Sequence, residues 1–294
     1  MMDIARAPTI WTDLLGSEVR FRGKKYRTRT IEAGEGPPLI LMHGIGGHAE
    51  AFSRNIRRLS KQYRVIAMDF VWHGFSSKPP VPKAMHPVYA DQVLDLMDDL
   101  GCANASLEGE SLGGWIALEL ALNRPDRVDK LVLNTAYGVR LQTEAVKEDT
   151  EKGLVQLRDR SVAAISNPTR EVVRKRLEWL MASPDRVTEE LIDVRHAIYA
   201  MPETQVSLKA VFETAFDPRR VDQLIDEERL SAITAPTLVL WSEKNPGLGP
   251  EAGKRISKLI PGAEFHCVAD AGHWSQWEQA EEHDRVVLDF LHRR

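Results

Sequence analysis

The stretch Gly109-Glu110-Ser111-Leu112-Gly113 has the pattern G-x-S-x-G and lies between a strand-like run, 105–109, and a helix-like segment, 111–123. A sharp turn from strand into helix strains the serine backbone and lifts its hydroxyl above the sheet, and only glycines let the neighbouring chain pass so close. In that setting Ser111 reads as a nucleophile rather than as part of a Gly/Ser loop. A serine hydroxyl needs a base. His273, in Ala271-Gly272-His273-Trp274, follows the final strand-like run and can take the Ser111 proton and later return it to the leaving group. His196, His266 and His292 fall inside expected elements, His283 begins a helix turn, and His43 and His48 flank a glycine turn. A tetrahedral intermediate also needs donors for its oxyanion. The backbone N–H groups of Leu112 and of Ile45, in His43-Gly44-Ile45-Gly46-Gly47, can supply them, and Gly44 keeps the main chain open to substrate. A phosphate-cradling loop is the competing reading of those glycines, but no Lys-Ser/Thr pair follows them.

These residues need elements to hold them. Residues 17–33 alternate polar and apolar around Gly23, as in an opening hairpin. Four apolar runs follow, at 39–43, 63–69, 105–109 and 129–134, rich in Leu, Ile and Val as expected of parallel strands covered on both faces. Helix-like segments at 49–60, 86–101 and 111–123 separate them, which makes an α/β fold with right-handed crossovers. Residues 139–230 carry helical periodicity and many charges but no convincing strand. After Ala235-Pro236 the alternation resumes with strands at 237–241 and 263–269 and helices near 251–260 and 277–292. The expected organisation is a core of 1–138 and 231–294 with a helical cap, 139–230, inserted over the strand ends.

Composition narrows the class of function. The 294 residues carry 39 Lys+Arg against 43 Asp+Glu, a net charge of −4, with no long basic run to suggest nucleic acid or an anionic membrane surface. The two cysteines, Cys102 and Cys267, are too few for a disulfide scaffold or a structural zinc site. MMDIARAPTIWTD lacks the apolar stretch of a signal peptide, and no window approaches a membrane span, so a cytoplasmic enzyme is expected. Neither a metal site nor a dinucleotide site is implied: no histidine-carboxylate cluster has ligand spacing, and no G-x-G-x-x-G follows a first strand. No cofactor is therefore called for, and the expected partner is a small-molecule substrate.

The chain resembles the α/β-hydrolases and, among them, the meta-cleavage-product hydrolases, which cut a C–C bond in 2-hydroxy-6-oxohexa-2,4-dienoates. The matching pieces are HGIGG (43–47), MDFVWHGFSSKP (68–79), GESLGGW (109–115), EWLMASPDRVTEELIDVR (178–195), PTLVLW (236–241) and AGHWSQWE (271–278). The resemblance implies a mostly parallel eight-stranded sheet with helices on both faces. It implies that Arg195 grips a substrate carboxylate, as a planar guanidinium can, and that Trp274 lines the pocket. A homodimer is compatible with it. Solvated-cap and core-packing readings of Arg195 and Trp274 stand beside these.

The sequence departs from the family in several places. The catalytic Asp belongs after TLVLW, yet the turn reads Ser242-Glu243-Lys244-Asn245-Pro246, and Asn245 fills the acid slot 28 residues before His273. Asn can orient an imidazole but cannot stabilise the imidazolium; in a serine protease, Asp→Asn lowers turnover by about 10⁴-fold. Asn245 as the holder of the ring, Glu243 reaching His273 instead, and a silent frame that only binds a ligand all remain open, and Asp270 reads as a loop cap. Glu110 stands where an Asn is usual, Arg54 where a polar amide is usual, and Trp72 replaces a small residue. Glu110 and Arg54 are therefore candidate substrate contacts. An esterase or lactonase using the same residues is the alternative to C–C hydrolysis.

Overall fold

The structure, a computed structural model, describes residues 9–142, 144–215 and 222–293. After a short helix α1 (Ile10–Asp13), β1 (Glu18–Arg22) and β2 (Thr28–Ala33) form the opening hairpin, and β3 (Pro38–Met42), β4 (Arg64–Met68), β5 (Ala105–Glu110) and β6 (Val128–Asn134) follow. Two short strands, β7 (Val139–Arg140) and β8 (Ile225–Asp226), pair in parallel apart from the main sheet. β9 (Thr237–Ser242) and β10 (Glu264–Val268) complete it. Its order is β1-β2-β4-β3-β5-β6-β9-β10 over eight strands, antiparallel where β2 meets β1 and β4 and parallel elsewhere. The expected eight-stranded, mostly parallel sheet is therefore present.

The apolar runs explain the layering. β9 is buried along its whole length, and in β3 and β4 every residue after the first is buried, which a strand covered on both faces requires. The covering helices are α2 (Ser53–Leu59), α3 (His86–Asp99), α4 (Leu112–Asn123), α9 (Pro250–Leu259), a short α10 (Ser275–Glu278) and α11 (Ala280–His292). α4 packs on β5 and β6 and also on α3, and its apolar sequence is buried on nearly every side. α11 packs on α2 and β10.

Between β7 and β8 lie α5 (Glu144–Ser166), α6 (Arg170–Leu180), α7 (Glu189–Tyr199) and α8 (Pro202–Ala215), each in contact with another of the four. Thr169 and Thr188 cap α6 and α7 by accepting the N–H of Val172 and Leu191. Residues 143 and 216–221 of the expected cap lie outside the described residues. The region 139–230 does contain strand: β7 and β8 have two residues each, too few to leave an alternation in the sequence. The helix expected over 49–60 is divided, with a 3-10 turn at Ala49–Phe52 before α2. Among the described residues, no helix is long and apolar enough to cross a membrane.

Candidate active site

The loops after β3, β5, β9 and β10 meet at the carboxyl ends of the parallel strands, where open α/β sheets place their sites. Ser111 sits in the turn from β5 into α4 at φ 52° and ψ −110°, a left-handed conformation that costs a non-glycine residue on the order of 1–3 kcal/mol. Its N–H donates to Asn134 O at 3.1 Å, and its carbonyl accepts from Trp115 and Tyr137. The glycines around it are obligatory. A Cβ on Gly109 would lie 2.2 Å from the backbone of Gly113, and one on Gly113 would lie 2.2 Å from Met42 O. These close approaches let the β5–α4 turn press against β3, the strand that leads into the glycine loop.

His273 follows β10. Its own N–H donates to Leu180 O at 2.6 Å, at the end of α6, and its carbonyl accepts from Thr135 Oγ1 at 3.0 Å. The ring Nδ1 lies 2.6 Å from Asn245 Oδ1. Asn245 is buried, and its Nδ2 donates to Leu248 O at 2.6 Å. That bond commits the amide nitrogen away from the ring, so Oδ1 faces Nδ1 and the imidazole must carry a proton there. Glu243 is not bonded to the ring: its carboxylate accepts the Asp270 N–H at 3.0 Å. Asp270 pairs with Lys244 and Arg186, which hold its carboxyl below the usual range.

One pocket, enclosing about 260 Å³ with its open mouth included, is lined by Gly44, Ile45, Glu110, Ser111, His273 and Trp274 of the core and by Leu157, Arg176 and Leu180 of the inserted helices. Neither the Leu112 N–H nor the Ile45 N–H has a hydrogen-bond partner among the described residues, so both remain available to an oxyanion. The Gly44 N–H is already taken by Glu110 Oε2 at 2.5 Å. Glu110 is 1% exposed, and its Oε1 stands 2.9 Å from His273 Nε2, out of line for a ring N–H hydrogen bond. The carboxylate unexpected in the sequence thus lies against the His273 ring.

The arginines divide. Arg195 is not solvated but 1% exposed; its guanidinium lies 5.4 Å from the Trp274 ring and 5.5 Å from the Tyr199 ring, and its Nε and Nη2 have no partner among the described residues. Arg54 does not reach the pocket: Nη1 donates to Trp277 O at 2.6 Å and the group stacks on the Trp277 ring. Sequence reasoning missed Arg176. It is 2% exposed, donates to Ser161 Oγ and Ile45 O, and at the pocket wall its Nη1 has no partner among the described residues. Burial, with Arg195 nearby, lowers its pKa against the pull of Tyr199 and Glu110. A lone charge on a helix full of charges gave no sign of this; only its register with the apolar Val173, Leu177 and Leu180 face hinted at it.

Three buried carboxylates support the site from behind. Glu278 accepts the N–H of Gly272 and of Ala182, each at 2.7 Å, and so ties the His273 loop to the inserted helices; burial raises its pKa. Below the sheet ends, His283 places Nε2 2.7 Å from Glu108 Oε1 and Nδ1 3.0 Å from Asp284 Oδ1. Burial opposes its charge, but these two carboxylates outweigh it and push the imidazole up to about 10. Asn55 donates to Asp284 and to Gln276 O, and Asn134 binds Gln276 and Ser275, so this network joins the Ser111 turn to the segment after His273. His43 is a separate case. Nδ1 bonds Gly44 O, Nε2 accepts the Phe70 N–H, and burial drives its pKa well down, so it is a neutral brace for the glycine loop. Trp72 is buried at φ 68° and bonds Pro79 O. Among the described residues no group of three or more His, Cys, Asp or Glu could hold a metal ion.

Comparison with known proteins agrees with this geometry. A family model for the alpha/beta hydrolase fold matches residues 37–280. The chain is 31% identical over 285 residues to a 2-hydroxymuconate semialdehyde hydrolase of Pseudomonas putida, covering 94% of each chain. It is 32% identical to a 2-hydroxy-6-oxononadienedioate/2-hydroxy-6-oxononatrienedioate hydrolase of Burkholderia vietnamiensis, covering 92% of this chain and 93% of that one. A solved meta-cleavage product hydrolase from Pseudomonas fluorescens IP01 is 29% identical with a TM-score of 0.78, covering 93% and 97% of the two chains.

Proposed function

Because the chain belongs to the alpha/beta hydrolase family, we propose that it is a serine hydrolase cleaving a C–C bond in a 2-hydroxy-6-oxo-dienoate formed by aromatic ring cleavage. The observation that carries the reading is the pocket that Ser111, in its left-handed turn, shares with His273 and Ile45, the N–H groups of Ile45 and of the adjacent Leu112 having no partner among the described residues. Relatives named for such dienoates over nine-tenths of the chain supply the substrate class.

In this reading Ser111 and His273 first assist conversion of the 2-hydroxydienoate to its keto form. His273 Nε2 then takes the Ser111 proton as Oγ adds to the C6 ketone, and the oxyanion is held by Ile45 and Leu112. Collapse breaks the C5–C6 bond; its electron pair leaves on the keto-acid fragment, which His273 protonates. Water, activated by the same imidazole, frees the acyl group from Ser111. Asn245 holds the ring in the required tautomer throughout. Trp274 shapes the apolar wall, with Arg195 against it and Arg176 beside the opening. Residues 139–230 serve as the cap over core segments 1–138 and 231–294, and the enzyme works on its small substrate in the cytoplasm.

The test is loss of the dienoate chromophore on addition of enzyme, abolished in Ser111→Ala. Turnover of p-nitrophenyl acetate with no effect on dienoates would replace this reading with an esterase or lactonase. Failure of a serine-directed phosphonate to label Ser111 would leave a ligand-binding frame.

A further inference from the structure

The acid slot of this site holds an amide, and a carboxylate stands on the other side of the same ring. We propose that Glu110 is the counter-charge of the His273 imidazolium, so that the charge and the orienting hydrogen bond, joined in one side chain in the usual serine triad, are divided here between two. The inference rests on Ser111 and His273 being the working pair. Asn245 orients the ring through Nδ1 and, being neutral, gives the imidazolium no charge to lean on. Glu110 Oε1 lies 2.9 Å from Nε2, and the group is held there by the Gly44 N–H on Oε2 at 2.5 Å. A neutral ring protonated at Nδ1 would set its Nε2 lone pair beside this carboxylate, which is unfavourable; a protonated ring makes the same contact attractive.

The misalignment of Oε1 with the ring N–H direction matters as much as the distance. A carboxylate in line with Nε2 would capture its proton and shut out Ser111. One set to the side stabilises the imidazolium while leaving the N–H axis to the hydroxyl and the leaving group. The other charged or titratable groups around the pair have different commitments. Arg176 from α6 and Arg195 from α7 are cations, with Arg176 close enough to Glu110 to interact electrostatically. Glu278 accepts two backbone N–H groups, Asp270 pairs with Lys244 and Arg186, and His43 is neutral. Among the described residues, Glu110 is therefore the carboxylate that faces the catalytic imidazole.

The test compares the full-length wild type, Glu110→Gln, and Glu110→Gln combined with Asn245→Asp, assayed over a range of pH with p-nitrophenyl acetate and with a 2-hydroxy-6-oxo-dienoate. Glu110→Gln is expected to lower kcat at least 100-fold, and the acid-side midpoint of kcat/KM to move to lower pH. The double variant, with the carboxylate moved across the ring, is expected to regain at least tenfold and to move the midpoint back up. A purely structural role for Glu110 would not be rescued in this way. Glu110→Gln within threefold of wild type overturns the proposal. So does a folded double variant no better than the single, or a midpoint that stays in place. Glu110→Asn takes the place of the Gln variant in both arms if the latter does not fold. Because the ester arm reads the Ser111–His273 pair without the dienoate, absence of dienoate turnover counts against the substrate assignment and not against Glu110.

Discussion

Replacing Glu108 by Gln tests whether the buried charge beneath the site holds the chain together. Both ring nitrogens of His283 face carboxylates, at 2.7 Å to Glu108 and 3.0 Å to Asp284, so the folded protein keeps an imidazolium there. Its pKa is near 10 when folded, against an ordinary value of 6.5. A group whose pKa is raised on folding contributes its stability in full below the unfolded value and loses it as pH rises through the folded one. The window here runs from about 6.5 to about 10. The shift of roughly 3.5 units corresponds to an upper bound of about 5 kcal/mol, and breaking a buried pair by removing one partner typically costs about 3–5 kcal/mol. Glu108→Gln should therefore lower unfolding stability at pH 7 by about 3 kcal/mol or more, a fall in Tm on the order of 10 °C. Urea unfolding of wild type and variant at several pH values between 6 and 10.5 is the assay, and the two curves should converge toward the alkaline end. Equal stability at pH 7, or a gap that persists unchanged to pH 10.5, would refute the reasoning.

Asn245→Asp adds a charge at Nδ1 but sets a carboxylate oxygen against Leu248 O, 2.6 Å from the present amide nitrogen. A Coulombic gain of about 4 kcal/mol at an effective dielectric of 20, less a lost hydrogen bond and a new repulsion of about 1–3 kcal/mol, leaves about 1–3 kcal/mol, a rise of roughly 5- to 150-fold in hydrolytic turnover. Unchanged turnover together with collapse in Glu243→Ala would point to Glu243 instead. Arg176→Leu should raise KM for a carboxylate-bearing substrate about 10- to 100-fold, the worth of a charge-assisted hydrogen bond. The same variant should leave KM for p-nitrophenyl acetate nearly unchanged; parallel losses on both would remove Arg176 from recognition. Glu278→Ala frees the Gly272 and Ala182 N–H groups and should cut kcat at least tenfold while stability falls by about 1–3 kcal/mol. Activity equal to wild type would show that the His273 loop holds itself.

The parts of the site that could be read from the chain are those whose geometry is local. G-x-S-x-G between a strand and a helix dictates the Ser111 turn, because the backbone clearances at Gly109 and Gly113 admit no side chain. The spacing of Asn245 before His273 brings the two side chains into contact for a related reason, since adjacent parallel strands β9 and β10 deliver both loops to one edge. What long side chains do across the sheet ends was not legible. Glu110 was visible as an oddity, but its approach to Nε2 depends on a rotamer fixed by the Gly44 N–H. Arg54 and Arg176 show the same limit from opposite sides. One lies near the expected site in sequence yet stacks on Trp277, while the other comes from an inserted helix whose charges look uniformly solvated. β7 and β8 escaped because two residues cannot display a period.

The bond from His273 N–H to Leu180 O and the clasp of Glu278 on Ala182 and Gly272 have a practical meaning for anyone recombining this scaffold. The inserted helices cannot be treated as an interchangeable module that merely selects what enters. Their boundary residues are part of the mount of the imidazole. A chimera that takes these helices from another parent must therefore bring a carbonyl at the position of Leu180 and an N–H at that of Ala182 in register with the recipient's Gly-His loop. Otherwise it will exchange specificity and lose chemistry in the same step.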